Sequence, residues 1–272
     1  MDRRRQNKTI LRDTLDVLYT GKGPDGKDYP LGLTLEQMKK AVVLMQDTPL
    51  PDERLREPLT SKTVFECINT DSFSAALEMM KDIPEEEKVL VLNFANAFHP
   101  GGGVRRGASA QEEDLCRCSS LLLSVESEEA EKFYDYHNRY AGNMATAAVI
   151  LNPYVAVIRD SHYALLDRPV TVSVITCAAP DLRPGLCGMS VDEYKKILYD
   201  RIMRILHTAA AFGYRELVLG AFGCGVFGND AELVARLFDE AFRKFSWQGM
   251  NCDACFRRVV FAVLDRSDYQ YN

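Results

Sequence analysis

The sequence predicts one large α/β domain preceded by a helical extension, and three features carry that reading. Strand-like apolar runs alternate with amphipathic helical segments from residue 62 onward. Two glycine-rich loops, at residues 101–103 and 220–229, each follow a strand and open a helix. The first 60 residues lack this alternation and mix helical spacing with turn signals. At 272 residues the chain can bury a substantial core without disulfide or metal staples.

Taken in order, Ile10, Leu11, Leu15, Val17 and Leu18 stand near helical spacing until Gly21-Lys-Gly-Pro-Asp-Gly26 ends the run. Residues 1–60 are therefore expected as an N-terminal extension packed on the main domain, which takes residues 61–272. A strand is predicted over 63–68, a short helix over 72–80, and a mostly apolar strand over 88–94 of the kind buried on both faces. One helix is predicted over about 110–125, with Leu115, Cys118, Leu122 and Val125 on its apolar face. An aromatic stretch at 133–140 precedes separate strands near 146–151, 155–159 and 170–177. Residues 190–212 read as a long amphipathic helix capped by Ser190, with Glu193 three residues on. A buried strand at 216–220, a helix at 231–245 and a last strand at 257–264 complete the pattern, without internal repeats.

Charge and cysteine usage narrow the function classes. With 33 Lys+Arg against 39 Asp+Glu, a net charge of -6, the chain is poorly suited to holding a polyanion by bulk electrostatics, so direct DNA binding is not expected and phosphate recognition must be local. The basic run Arg3-Arg4-Arg5 is followed by Gln6, Asn7 and Lys8 rather than an apolar signal core, and no segment has about 18 uninterrupted apolar residues. A soluble, cytoplasmic protein of a reducing compartment, without a membrane partner, is expected. The eight cysteines are scattered and suit free thiols. Cys252-x-x-Cys255 would need two more ligands to hold zinc, and the other tight pair, Cys116-x-Cys118, is remote in sequence, so neither metal nor cofactor is expected.

The chemistry concentrates in the glycine loops. The first reads Asn93-Phe-Ala-Asn96, then Gly101-Gly102-Gly103-Val104-Arg105-Arg106, and ends at Gln111-Glu112-Glu113. Glycines after a buried strand let backbone approach a ligand, and the helix that follows offers amides to anions. Ser109 and Glu112 fit a capping box, a structural role for Glu112 that leaves Glu113, Asn96 and the glycines unexplained. Arg105 and Arg106 could meet phosphates or form a solvated turn. The second loop, Gly220 to Asp230, contains Gly223-x-Gly225-x-x-Gly228 and so matches the dinucleotide fingerprint. Only about forty residues follow it, too few for the remaining βαβ units, and Asp265 lies well past the spacing expected of a ribose-binding acid. No Gly-Lys-Ser/Thr ends either loop, which excludes a P-loop, and His99, His137, His162 and His207 lack a triad setting.

Gly101-Gly102-Gly103, seven residues, and then Gln111-Glu112-Glu113 resemble the signature of poly(ADP-ribose) glycohydrolases of the bacterial type. Asn93-Phe-Ala-Asn96 and Gly223-Cys-Gly-Val-Phe-Gly-Asn229 are similar to the family's other binding segments, and the similarity spans roughly residues 60–265. The resemblance implies a macrodomain-like three-layer α/β/α sandwich with a mixed central sheet, and hydrolysis of the ribose-ribose bonds of poly(ADP-ribose); release from chain ends is expected if a loop or the N-terminal extension closes the far side of the ribose pocket. It also implies ADP-ribosylated proteins as partners; no cofactor is expected, because no metal-ligand cluster accompanies the site. By the same resemblance Glu113 would be the catalytic acid, while Glu112 and Asn96 would hold the hydroxyls of the terminal ribose. Gly101, Gly102 and Gly103, with Gly223, Cys224, Gly225, Val226 and Gly228, would wrap the diphosphate, and Val104 and Asn229 would belong to the substrate-binding set. Phe227 would orient the ribose, Gln111 would belong to the binding set, and Thr70 and Asp71 would reach the adenine end. Protonating Glu113 at neutral pH asks burial, Glu112 and the substrate diphosphate to outweigh the helix N-terminus, which favours the charged form. A non-catalytic ADP-ribose reader would use the same loops, but two adjacent acids beside a diphosphate repel it. A hydrolase of mono-ADP-ribosylated protein would share both acids and loops.

Overall fold

The computed structural model describes residues 2–52, 57–84 and 86–265, arranged around a seven-stranded mixed sheet of order β1-β4-β5-β3-β6-β7-β2. Its strands are β1 (Val42–Leu44), β2 (Val64–Ile68), β3 (Val89–Phe94), β4 (Val149–Arg159), β5 (Leu165–Cys177), β6 (Glu216–Leu219) and β7 (Arg258–Ala262). From β5 to β2 every neighbouring pair is parallel, whereas β4 runs antiparallel to both β1 and β5. The helices are α1 (Arg3–Thr20), α2 (Leu35–Lys39), α3 (Ser72–Met79), α4 (Gln111–Cys118), α5 (Leu121–Val125), α6 (Glu128–Tyr140), α7 (Val191–Ala211), α8 (Ala231–Lys244) and α9 (Cys252–Cys255). Residues 266–272, the end of the expected catalytic domain, lie outside the described residues.

Strand alternation sorts the core into two layers. On β3, Val89 and Val91 face α1 and α3 to α6, while Leu90 and Leu92 face α7, α8 and α9. Both faces are covered, which is why β3 reads as an unbroken apolar run. The result is the three-layer sandwich with a mixed sheet that the resemblance implies. Cys116 and Cys118 belong to one layer and Cys252 and Cys255 to the other, so the two pairs cannot share an ion.

Residues 1–60 do more than pack on the body. α1 ends at Gly21, which takes the left-handed conformation (φ 64°) and returns its N–H to Val17, and β1 supplies the outer strand beside β4. Asn7 donates to the Gly107 carbonyl (3.0 Å) and Thr14 to that of Arg117 (2.6 Å), so α1 is stitched to the segment that leads into α4.

Two expected elements are drawn differently. The helix over 110–125 is broken into α4 and α5 because Ser119 is extended (φ -151°, ψ -179°) and Ser120 bonds to both backbone groups of Ala156 on β4. The strands near 146–151 and 155–159 are one strand, β4, whose register shifts between Asn152 and Val155, where Pro153 has no N–H for the ladder. The aromatic stretch forms the last turns of α6. Ser190 and Glu193 close the capping box at α7 as predicted.

Candidate active site

The parallel strands end together, and the segments that leave them wall a cavity of about 730 Å³. Thr70 and Asp71 follow β2, Asn96 and Gly103 follow β3, Ala179 and Arg183 follow β5, Gly223, Gly225, Val226 and Phe227 follow β6, and Val263 and Leu264 follow β7. The first turn of α4, with Gln111, Glu112, Glu113 and Asp114, faces the same space.

Glu112 and Glu113 are both buried, at 4% and 8% exposure, on consecutive positions of that turn. Glu113 accepts the Gly103 N–H at one oxygen (2.8 Å) and the Ala110 N–H at the other (2.9 Å). Glu112 accepts the Asn96 N–H (2.8 Å) and, at 3.4 Å, the Asn93 side-chain amide. Gly102, at φ 58°, lies between them: a Cβ there would stand 2.6 Å from a Glu113 oxygen and 2.9 Å from a Glu112 oxygen. Because both oxygens surround that one point, they are at most 5.5 Å apart. The expected capping box is displaced by one residue. Ala110 is the N-cap and Glu113, not Glu112, reaches back to its N–H, since the Gly103 amide draws Glu113 toward the loop while Asn96 and Asn93 claim Glu112.

Burial pushes the Glu112 carboxyl up to about 8, and the charge of Glu113 adds to this, against the opposing hydrogen bonds from Asn96, Asn93 and Gly101. Two adjacent buried carboxyls at a cavity wall are the kind of groups that glycoside hydrolysis uses.

The other predicted residues divide between the cavity wall and its support. Asn96 lines the cavity while its Oδ1 accepts the Phe98 and His99 N–H groups (2.8 and 2.9 Å). Gln111 also lines it, but its amide is engaged inside the protein, accepting from Phe94 N and donating to Leu92 O and Ser72 Oγ. Gly101, Gly102 and Val104 stand off the wall; of the first loop's glycines, Gly103 is the one that lines it. In the second loop Gly223, Gly225, Val226 and Phe227 form wall, whereas Cys224, Gly228 and Asn229 do not line it. Asn229 is 3% exposed and holds the loop closed, donating to Pro180 O and Gly223 O and accepting from the Tyr194 hydroxyl (2.8, 2.9 and 2.8 Å). Asp71 caps α3 through Ser74 (2.9 Å to its N) at the cavity's edge.

Arg183 and Ala179 escaped the sequence reading. Arg183 pairs with Asp181 and lies over the Phe227 ring, 5.6 Å from its centroid. The available signal was positional: residues that leave a buried parallel strand join the glycine loops at the same sheet edge. Arg201 of α7, fully buried, pins this segment by donating to the carbonyls of Ala178 (2.6 Å) and Met144. Arg105 is committed to Glu126 (2.8 and 2.6 Å), while Arg106 lines the cavity. His137 is buried between Phe133 O and Thr146 Oγ1 (2.7 and 2.9 Å), and His99 and His162 are exposed. Among the described residues no three His, Cys, Asp or Glu side chains cluster as metal ligands, and no helix is long and apolar enough to cross a membrane.

Residues 12–160 match the model of the microbial-type PARG catalytic domain. The chain is similar to the crystal structure of poly(ADP-ribose) glycohydrolase (PARG) from Thermomonospora curvata, with 30% identity, a TM-score of 0.83 and coverage of 97% of this chain and 95% of that one. The same enzyme bound to the inhibitor ADP-HPD aligns at 30% identity and a TM-score of 0.80, with the same coverage. The glycohydrolase from Deinococcus radiodurans in complex with ADP-ribose aligns at 32% identity and a TM-score of 0.75, covering 86% and 92% of the two chains. No curated protein matches the sequence. Family model and structures agree with the paired carboxylates in favouring a hydrolase over a non-catalytic reader: the chain belongs to the microbial-type poly(ADP-ribose) glycohydrolases.

Proposed function

We propose that in this glycohydrolase Glu113 serves as both acid and base, with Glu112 and Asn96 holding the hydroxyls of the terminal ribose. The observation that carries this reading is the pair of buried carboxyl groups, each fixed by backbone amides, at the wall of a cavity that a glycine loop also lines. The loop from Gly223 to Phe227, locked by Asn229, is suited to the diphosphate, and Phe227 to the ribose beside it. Thr70 and Asp71 stand where the adenine end would reach, at the end of β2.

In the reaction the bond between the anomeric carbon and the oxygen of the neighbouring ribose breaks as Glu113 gives that oxygen a proton. Once it has given up that proton, the Glu113 carboxylate stabilises the oxocarbenium-like state. Water then bonds to the anomeric carbon and returns its proton to Glu113, so the enzyme ends as it began. The substrate is the polymer, carried on ADP-ribosylated protein, and release from chain ends gives free ADP-ribose.

The test is automodified poly(ADP-ribose) incubated with wild type and with Glu113→Gln, without added metal. Wild type is expected to release ADP-ribose, and the variant to bind ADP-ribose while losing on the order of a thousandfold or more in rate. Full activity of the variant would remove Glu113 from this role, and oligomers as the first products would replace release from chain ends by internal cleavage.

A further inference from the structure

A line of fully buried polar side chains leads from Glu112 away from the cavity: Asn93 on β3, Thr176 on β5, Asn152 on β4 and Ser124 on α5, all at 0% exposure. The three strands are neighbours in the sheet, and the three side chains share the face that carries α4 to α6. Apolar residues surround the line, and a core has no need of it for packing.

Its donors run in one direction. The Asn93 NH2 group reaches Glu112 Oε1 (3.4 Å) and Thr176 Oγ1 (3.2 Å). Thr176 donates to Asn152 Oδ1 (3.1 Å), Asn152 Nδ2 to Ser124 Oγ (2.9 Å), and Ser124 to the Leu121 carbonyl (3.0 Å), which can only accept. Polarity propagates back from that carbonyl. Ser124 has lone pairs left for the Asn152 NH2, the Asn152 oxygen then takes the Thr176 proton, and Thr176 has lone pairs left for Asn93. Asn93 must therefore turn its NH2 toward Glu112, and its own Oδ1 is buried with no partner. That orphaned oxygen is a free-energy cost, and the opposite amide orientation would add opposed lone pairs at Thr176 and at an ionised Glu112.

We propose that Thr176, Asn152 and Ser124 are positioning residues that hold Asn93 as a donor to Glu112, favouring the charged form of Glu112, the form that accepts a ribose hydroxyl. The proposal rests on the reading that Glu112 holds substrate. Burial and Glu113 work against the Glu112 charge, and the backbone amides of Asn96 and Gly101 work with Asn93. Cys116 on the same helix and Tyr134 on α6 are the other titratable groups that interact with Glu112, and burial pushes both upward, so they stay neutral. β3 and the glycine loop present Glu112 with amides alone.

The experiment is calorimetric titration of ADP-ribose into wild type, Thr176→Val, Thr176→Ser and Glu112→Gln between about pH 5.5 and 9.5. In wild type affinity rises with pH as Glu112 ionises, and Glu112→Gln loses that rise. Valine cannot accept from Asn93, so the midpoint for Thr176→Val moves about one unit alkaline and affinity at pH 7 falls up to about tenfold, with the alkaline plateau kept. Serine restores the midpoint. Thr176→Val with a lower melting temperature but an unmoved midpoint would show that Thr176 merely packs, and the proposal would fail alone. A wild-type curve without any step that Glu112→Gln removes would instead sink the reading of Glu112 and the proposal with it. Should Thr176→Val not fold, Ser124→Ala at the far end of the line is read in the same way.

Discussion

Replacing Glu112 with glutamine should stabilise the folded protein at alkaline pH and leave it nearly unchanged in acid. Unfolded, this carboxyl ionises near 4.5; folded, burial and the Glu113 charge hold its proton up to about 8. Between those values the folded state binds more protons than the unfolded one, so stability falls as pH rises through the window and the loss is complete above about pH 8. At about 1.4 kcal/mol for each unit, the full cost is on the order of 5 kcal/mol. Glutamine keeps the shape of the protonated acid and has no proton to lose. The gap between variant and wild type should therefore open from near zero at about pH 4.5 to roughly 10–20 °C in Tm at about pH 9, using 2–4 °C per kcal/mol for a chain of this size. Thermal unfolding of both proteins at acidic, neutral and alkaline pH checks this. A gap of equal size at every pH would mean that Glu112 ionises in the folded state as it does in the unfolded chain, and the reasoning would be refuted.

Two further substitutions probe the walls. Gly102→Ala forces a methyl group to within 2.6 Å of a Glu113 oxygen from a left-handed backbone position, so ADP-ribose release should fall about a hundredfold or more while Tm drops by only a few degrees. Asn229→Ala removes three buried hydrogen bonds that close the second glycine loop; about 3 kcal/mol of stability by urea unfolding and about tenfold in ADP-ribose affinity by calorimetry should go with them.

Where the signal was local, the sequence carried it well. β3 was legible because both of its faces are covered and every position from Val89 to Leu92 is apolar and buried; the two glycine loops were legible because each sits between such a strand and a helix. The two sequence motifs that bring Asn96, Glu112, Glu113 and Gly223 to one cavity are likewise continuous stretches of chain. What the sequence obscured depends on partners distant in the chain. Ser109-Ala-Gln-Glu112 satisfies a capping-box pattern, yet the register chosen is the one in which Gly103 can reach Glu113. The break at Ser119 follows from pairing with Ala156 and Val157, and the fusion of two strands into β4 follows from a long partner, β5, that spans the irregularity at Pro153. Thr176, Asn152 and Ser124 are unremarkable polar letters in apolar runs until the sheet lays them side by side.

The contact between α1 and Gly107 bears on any attempt to move this chemistry to another scaffold. Gly107 has no room for a side chain because the Arg4 carbonyl rests against it, Asn7 holds its oxygen, and the buried guanidinium of Arg117 holds that of Ala108 (2.5 Å). Two residues later the same strip of backbone delivers the Ala110 amide to Glu113. A graft of residues 93–118 onto a related sandwich without α1 would carry every signature letter and leave its spine unsupported, so the transplantable unit includes the first helix, although that helix contributes nothing to the cavity wall.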